Sequence, residues 1–240
     1  MSKLSDWIRK TKHTTASAVV LAAGSSQRMG EDKLFMRLEG MPVLARTLSA
    51  LNACSCIDEI ILVTRAESLE QVSKLCRDYG ILKCKKVVIG GASRTESALR
   101  GVTEVRRDAK LIAIHDGARP LVSEELVYGA VHGAALYKAA APSVPVADTV
   151  KLAENNEVSE TLPREQLAAV QTPQVFQADI IKTALTKALA DQKEYTDDCA
   201  AVEALGVRVH LTSGSRRNLK ITTPMDMELA SAMLRNGSRE

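Results

Sequence analysis

The feature that most limits how this chain can fold is an alternation of short apolar runs with helix-length amphipathic stretches, joined by glycine or polar loops. Ala18–Leu21 runs into a glycine loop, and Ile60–Thr64 precedes a helix over Leu69–Tyr79 that Gly80 stops. Lys86–Ile89 ends at Gly90-Gly91 before a helix over Thr95–Val105, and Leu111–Ile114 ends in the loop His115–Pro120. Pro42 opens a helix through Ala53, because proline suits a first helical turn. Ser123 caps a helix reaching Tyr137, with Glu125 in its first turn. Strands and helices in this order require right-handed crossovers and a parallel sheet. Aromatic residues make up only 3% of the chain, which suits aliphatic strands covered by helices on both faces. The expected class is α/β.

The pattern changes after Pro142. Residues 147–162 have strand-like ends around Glu154-Asn155-Asn156-Glu157, which predicts a hairpin with a polar tip. A two-stranded hairpin alone in water is barely stable, so this arm is expected to pack on the body or on a second subunit. Strand returns at Ala168–Val170, helix at Ile180–Ala190 and Asp197–Leu205, strand at Val207–Leu211, and a last helix starts near Pro224. One domain over 17–235 is expected, with an extension at 1–16 and a tail at 236–240.

Composition removes several classes of function. A chain of 240 residues with 45% hydrophobic content builds its own core without staples. No apolar run reaches the length of a membrane span, and the first residues lack the apolar stretch of a secretory signal. A cytoplasmic protein is expected. Lys3, Arg9, Lys10 and Lys12 against Asp6 account for the whole net charge of +3, which leaves a neutral body unlike that of a general nucleic-acid binder. That basic head reads as a solvated extension, or as a contact for an anionic surface. Five scattered cysteines, with only Cys54 and Cys56 close in sequence, form no zinc pattern and read as reduced thiols.

In an open α/β sheet, ligands sit beyond the carboxyl ends of the strands. The loop after the first strand, Ala22-Ala23-Gly24 through Arg28 to Lys33, combines small residues with two cations and reads as a polyphosphate cradle, or as an ordinary turn with surface charge. It is neither a Walker loop nor a GxGxxG loop. Asp116, directly beyond the fourth strand, is placed to hold Mg²⁺, and Gly117 permits close approach of a ligand. His115 reads as a hydrogen-bonded structural residue. No Ser-His-Asp or Cys-His set suggests a covalent intermediate.

Six motifs follow one another in a familiar order: LAAGSSQRMG with Lys33, GGASRTES, HDGARP, TPQVF, Tyr195-Thr196-Asp197-Asp198, and Asn218-Leu219-Lys220-Ile221-Thr222 with Pro224 and Asp226. Over residues 17 to 235 the chain resembles the 2-C-methyl-D-erythritol 4-phosphate cytidylyltransferases of the non-mevalonate isoprenoid pathway. The resemblance implies a Rossmann-like nucleotidyltransferase fold and a homodimer with an exchanged β-arm. It implies CTP and a polyol phosphate as substrates and Mg²⁺ as cofactor. By position, Ala22, Ala23 and Gly24 would line the CTP site, and Arg28, Lys33 and Lys220 would serve the phosphates. Gly91 and Ser97 would meet the cytosine, Asp116 the metal. Arg119, Thr149, Arg164, Thr172 and Thr196 would serve the acceptor, with Thr149 and Arg164 reaching across the dimer. Three positions depart from the family pattern: Ala92 replaces a frequent Asp, Arg217 replaces a frequent acidic residue, and Arg28 and Lys33 stand only five apart. A ribitol 5-phosphate cytidylyltransferase, a purine nucleotidyltransferase of molybdopterin metabolism and a non-catalytic nucleotide-binding regulator are the competing readings.

Overall fold

The computed structural model describes residues 14–24 and 32–237. Arg28 and residues 1–13 of the basic head lie outside the described residues. A sheet of eight strands forms the centre. Strands β1 (Ala16–Ala22), β4 (Ile57–Thr64), β5 (Cys84–Ile89) and β6 (Leu111–Asp116) run parallel in the order β5-β4-β1-β6. Beyond β6 lies β11 (Gln174–Gln177), antiparallel to β6 and to β7 (Ala139–Pro145), and β12 (His210–Ser213) runs parallel to β7. β10 (Ala168–Val170) pairs antiparallel with the far end of β7. A short ribbon, β2 (Arg37–Leu38) with β3 (Met41–Pro42), precedes the first described helix.

Period-two alternation along the strands fills two cores. Ala18, Val20, Ile60, Leu62 and Ala113 point to one face, where they meet α1 (Val43–Ala53), α2 (Leu69–Asp78) and α4 (Glu124–Tyr137). Val19, Ile61, Val63, Ile112 and Ile114 point to the other, under α3 (Arg94–Thr103), α5 (Ala178–Ala190) and α6 (Asp198–Glu203). Full burial of each valine, leucine or isoleucine among them stabilises the fold by roughly 1.5–3 kcal/mol. A third, smaller cluster joins Leu38, Val43 and Ile221 to Ala230 of α7 (Pro224–Arg235). Gly101 sets how closely α3 sits on the sheet, because a Cβ there would lie 2.4 Å from Val19 and 2.6 Å from Val63.

The alternating elements fall where the sequence places them, and the sheet is mostly parallel as expected. Ser123 caps α4 by accepting from Leu126 N at 3.3 Å, and Gly80 ends α2 with φ of +62°. Besides the short ribbon of β2 and β3, two strands of the central sheet were not anticipated. β7 reads Ala-Ala-Ala-Pro, with no β-branched run, yet its alanines are fully buried between layers. Pro142, which lacks a donor, still contributes its carbonyl to Gln171 N at 2.7 Å. β11 is the antiparallel insertion that joins β7 to β6, and nothing local in Gln-Val-Phe-Gln announces it.

The predicted arm is a hairpin of β8 (Lys151–Glu154) and β9 (Glu157–Thr161). Asn155 and Asn156 take φ of +52° and +67° at its tip, the two positive values that a tight two-residue hairpin turn requires. Every residue of both strands is exposed, Leu152 and Val158 included, so the arm does not pack on the body of its own chain. Among the described residues no helix is long and apolar enough to cross a membrane.

Candidate active site

From β1 the chain moves outward to β4 and β5, then returns to β6 on β1's other side. The crevice beyond β1 and β6 is therefore the topological switch point, where open α/β sheets bind ligands. A cavity of about 210 Å³ opens there, lined by Ala22, Gly24, Lys33, Arg94, Asp116, Gly117 and Lys220. A larger cleft of about 850 Å³ lies at the opposite, amino-terminal end of the strands, around Arg106 and Lys110. It lies away from the strand-end loops that carry the sequence motifs.

Asp116 is the hub of the switch-point cavity. Its Oδ2 accepts from Lys220 Nζ at 3.0 Å and lies 3.5 Å from Arg119 Nε. Burial alone would raise its pKa, but Lys220, then Arg119 and Arg94, outweigh burial and hold the carboxyl at about 2. The carboxylate is thus charged across the physiological range. Behind it, Asp116 N donates to Thr172 Oγ1 at 3.1 Å, and that hydroxyl sits 3.1 Å from His115 Nδ1. His115 is fully buried, which lowers its pKa to about 4 and keeps the ring neutral. It is the structural residue the sequence suggests.

The remaining candidates fall into three groups. Ala22, Ala23 and Gly24 follow β1, and Gly90 fits so tightly that a Cβ there would lie 2.8 Å from both Ala23 and Ser97. Gly91 N donates to Ser97 Oγ at 3.0 Å, so the loops after β1 and β5 form one continuous wall. Ala92, the first departure from the family pattern, donates its N–H to Glu96 at 2.7 Å. Arg119 is almost buried and donates to Asn218 O at 2.6 Å, bracing the segment that carries Lys220. Thr149, Arg164 and Thr196 are exposed and lie outside the cavity wall, with Arg164 donating to Ala147 O at 2.8 Å at the root of the arm. Arg217 turns away and donates to Met233 O at 3.2 Å, so it adds no metal ligand.

Sequence reading gave no role to Arg94, which the structure places in the cavity wall. Its guanidinium donates to Asp198 Oδ2 at 2.7 Å, and Asp198 is buried. Burial pushes the Asp198 carboxyl up, with Arg94 opposing. Gln174 of β11 holds this unit: its Oε1 accepts from Asp198 N at 3.0 Å and Cys199 N at 3.1 Å, and its Nε2 donates to Asp197 at 2.6 Å. Asn218 likewise ties two segments together, donating from Nδ2 to Thr172 O at 2.9 Å. Both arginine and aspartate stand inside motifs quoted above, and that position was the available signal.

Lysine and arginine gathered around one carboxylate at a switch point can receive a polyanion. The sequence profile of 2-C-methyl-D-erythritol 4-phosphate cytidylyltransferase matches residues 16–236. The chain belongs to this cytidylyltransferase family.

Relatives in the family match more than nine tenths of the chain. The chain is 42% identical to the 2-C-methyl-D-erythritol 4-phosphate cytidylyltransferase of Halalkalibacterium halodurans, over 93% of this chain and 98% of the relative. It is 43% identical to the enzyme of that name from Caldanaerobacter subterraneus, over 91% and 98%. The fold is similar to the crystal structure of 4-diphosphocytidyl-2C-methyl-D-erythritol synthase from Anaerococcus prevotii, with a TM-score of 0.82 at 30% identity, covering 92% of this chain and 99% of that one. The chain is a nucleotidyltransferase by family and by fold.

Proposed function

We propose that the protein joins CTP and 2-C-methyl-D-erythritol 4-phosphate to give 4-diphosphocytidyl-2-C-methyl-D-erythritol and pyrophosphate. The observation that carries this reading is the grouping of Lys33, Arg94 and Lys220 with one ionised carboxylate, Asp116, around the switch-point cavity of a family member. Two polyanions must meet there, and an oxygen of the acceptor phosphate must reach the α-phosphorus. Such an oxygen is already ionised at neutral pH, so positioning and charge neutralisation suffice and no covalent enzyme intermediate is needed.

The residues divide this work. Ala22, Ala23 and Gly24 bring backbone N–H groups towards the triphosphate, and Lys33, with Arg28, neutralises it. Gly91 and Ser97 meet the cytosine. Lys220 faces the α-phosphate, where charge grows as the new bond forms. Thr172 and Arg119 hold Asp116 and the Lys220 segment in register. Thr149, Arg164 and Thr196 receive the acceptor, with a second subunit closing that pocket: the fully exposed arm supports a homodimer in which β8 and β9 lie on the partner.

Asp116 fits Mg²⁺ as a single hard oxygen donor. Among the described residues no group of three or more metal-ligating side chains exists, so the phosphates and water would complete the coordination, as is usual for this ion. When bound, Mg²⁺ would neutralise the phosphates and polarise the α-phosphoryl group. A cytoplasmic setting accords with these soluble substrates.

Pyrophosphate release from CTP and Mg²⁺ with a panel of acceptors tests the assignment. Rapid release with 2-C-methyl-D-erythritol 4-phosphate, and little with ribitol 5-phosphate, is the expected result. A preference for ribitol 5-phosphate would move the acceptor assignment, and no release with any acceptor would leave a nucleotide-binding regulator.

A further inference from the structure

The cysteines of this chain divide by surroundings, and two of them are unlike the rest. Cys54, Cys56 and Cys199 are buried, and burial pushes the first two thiols up to about 12 and about 11 and raises the third as well. Thiols in that condition are poor nucleophiles. Cys76, near the end of α2, and Cys84, at the start of the edge strand β5, are only half-buried. Both line one surface cleft, together with Arg77, Lys85 and Lys86.

Their geometry is local and well defined. Residues 77–83 loop back so that Ile81 N donates to Cys76 O at 2.9 Å and Cys84 N donates to Ile81 O at 3.1 Å. The two thiols are neighbours in this cleft, where Cys84 Sγ donates to Lys86 O at 3.7 Å. The neighbouring Cys84, then the nearby Arg77 charge, lowers the Cys76 pKa against the effect of burial, while Cys76 and burial raise that of Cys84. The pair thus has an accessible sulfur that favours thiolate and a thiol directly beside it, in a cation-lined cleft. Neither residue takes part in the nucleotide site, which lies at the other end of β5.

We propose that Cys76 and Cys84 form a redox-active dithiol, modified by peroxide and closed reversibly into an intrachain disulfide that ties α2 to the edge strand β5. The Cys76 thiolate attacks one oxygen of hydrogen peroxide; an S–O bond forms, the O–O bond breaks and hydroxide leaves. The Cys84 sulfur then attacks the Cys76 sulfenic acid; the S–S bond forms, the S–O bond breaks, and the departing hydroxide takes the Cys84 proton as water. The hydroxide from the first step takes up the proton that Cys76 lost on ionising. In sum, two thiols and one peroxide give a disulfide and two waters, with sulfur oxidised by two electrons and peroxide reduced by two.

Peptide mapping of the intact protein tests this without recourse to turnover. The folded protein is treated with hydrogen peroxide, its remaining thiols are blocked with N-ethylmaleimide, and trypsin is added. Trypsin cuts between the two cysteines, at Arg77 and Lys83, so a bond joins peptides Leu75–Arg77 and Cys84–Lys85 into one species two hydrogens lighter than their sum. The expected result is that species, lost on adding dithiothreitol, with Cys54, Cys56 and Cys199 still blocked by maleimide only in denaturant. In Cys84→Ser, dimedone should label Cys76, whereas in Cys76→Ser the Cys84 thiol should persist. A crosslink between other cysteines, peroxide loss at Cys54 or Cys56 as fast as at Cys76, or unchanged thiols at 76 and 84 would overturn the proposal. The wild-type map stands alone should either variant fail to fold.

Discussion

Nζ of Lys220 lies 3.0 Å from Oδ2 of Asp116, so the cation proposed for the α-phosphate and the anion proposed for the metal are each other's partner. On this proposal a phosphate entering beside Lys220 would release the carboxylate, and a divalent cation at Asp116 would release the lysine. Each arrival would then make the other more favourable.

Metal binding should therefore depend on the nucleotide. Calorimetric titration of Mg²⁺ into the free protein should give weak binding that tightens when CTP is present, and chelation of the metal should abolish turnover. Equally tight Mg²⁺ binding with and without CTP would contradict this coupling.

The three cations proposed for the phosphates should matter individually. Lys220→Met, Lys33→Ala and Arg28→Ala should each lower kcat/KM by about a hundredfold or more, the scale of losing one preorganised charge at a transition state. Retention of full turnover by all three variants, with melting temperatures unchanged, would remove the phosphate assignment.

Arg94 and Asp198 allow stability and activity to be separated. Arg94→Met leaves Asp198 buried without its counter-charge, a loss of about 3–5 kcal/mol for a broken buried pair. Adding Asp198→Asn should restore most of that stability, while nucleotide affinity stays low because no guanidinium reaches the cavity. Urea unfolding and CTP titration on the single and double variants report the two effects. Recovery of affinity along with stability would show that Arg94 serves the fold alone.

His115 makes stability depend on pH in a definite sense. The unfolded chain's imidazole takes up a proton near pH 6.5, whereas the folded ring resists protonation down to about 4. Between those values the unfolded state binds more protons, so this residue's contribution is full above pH 6.5 and falls by up to about 3 kcal/mol as pH drops towards 4. His115→Gln should flatten that part of the stability curve, read as Tm against pH. An unchanged slope would show that other groups govern it.

The arm should make the active site a shared one. Mixing Arg164→Ala subunits with Lys33→Ala subunits should recover activity that neither homodimer has, because each heterodimer then contains one site with both residues. Verified heterodimers without recovery would place Arg164 in its own subunit's site.

How much of this was legible in the sequence follows from how local each signal is. β1, β4 and β6 are branched aliphatic runs that end in polar or small residues, so strand, loop and site could be read together. Asp116 stood out because a carboxylate directly follows such a run. β7 and β11 did not, since alanine, proline and glutamine become strand there only through neighbours distant in the chain. The same holds for Arg94, whose meaning comes from Asp198 and Gln174 on separate elements. The arm's turn was visible in Asn155-Asn156, while its failure to pack on the body required the structure.

The segment from Ala168 to Gln177 is an antiparallel path broken at Gln171-Thr172-Pro173, and it begins beside the root of the arm and ends beside β6. At about 3.3 Å per residue, Ala168 and Thr172 are separated by roughly 13 Å of chain. Thr172 meets Asp116 N because it stands two residues before Gln174, whose partner Ile114 stands two residues before Asp116. One residue inserted or deleted here would turn the threonine to the opposite face and leave the carboxylate's backbone without its acceptor. Chain length in this stretch is therefore as much a component of the active site as any side chain in it, and homologues should vary the arm's tip freely while keeping this count fixed.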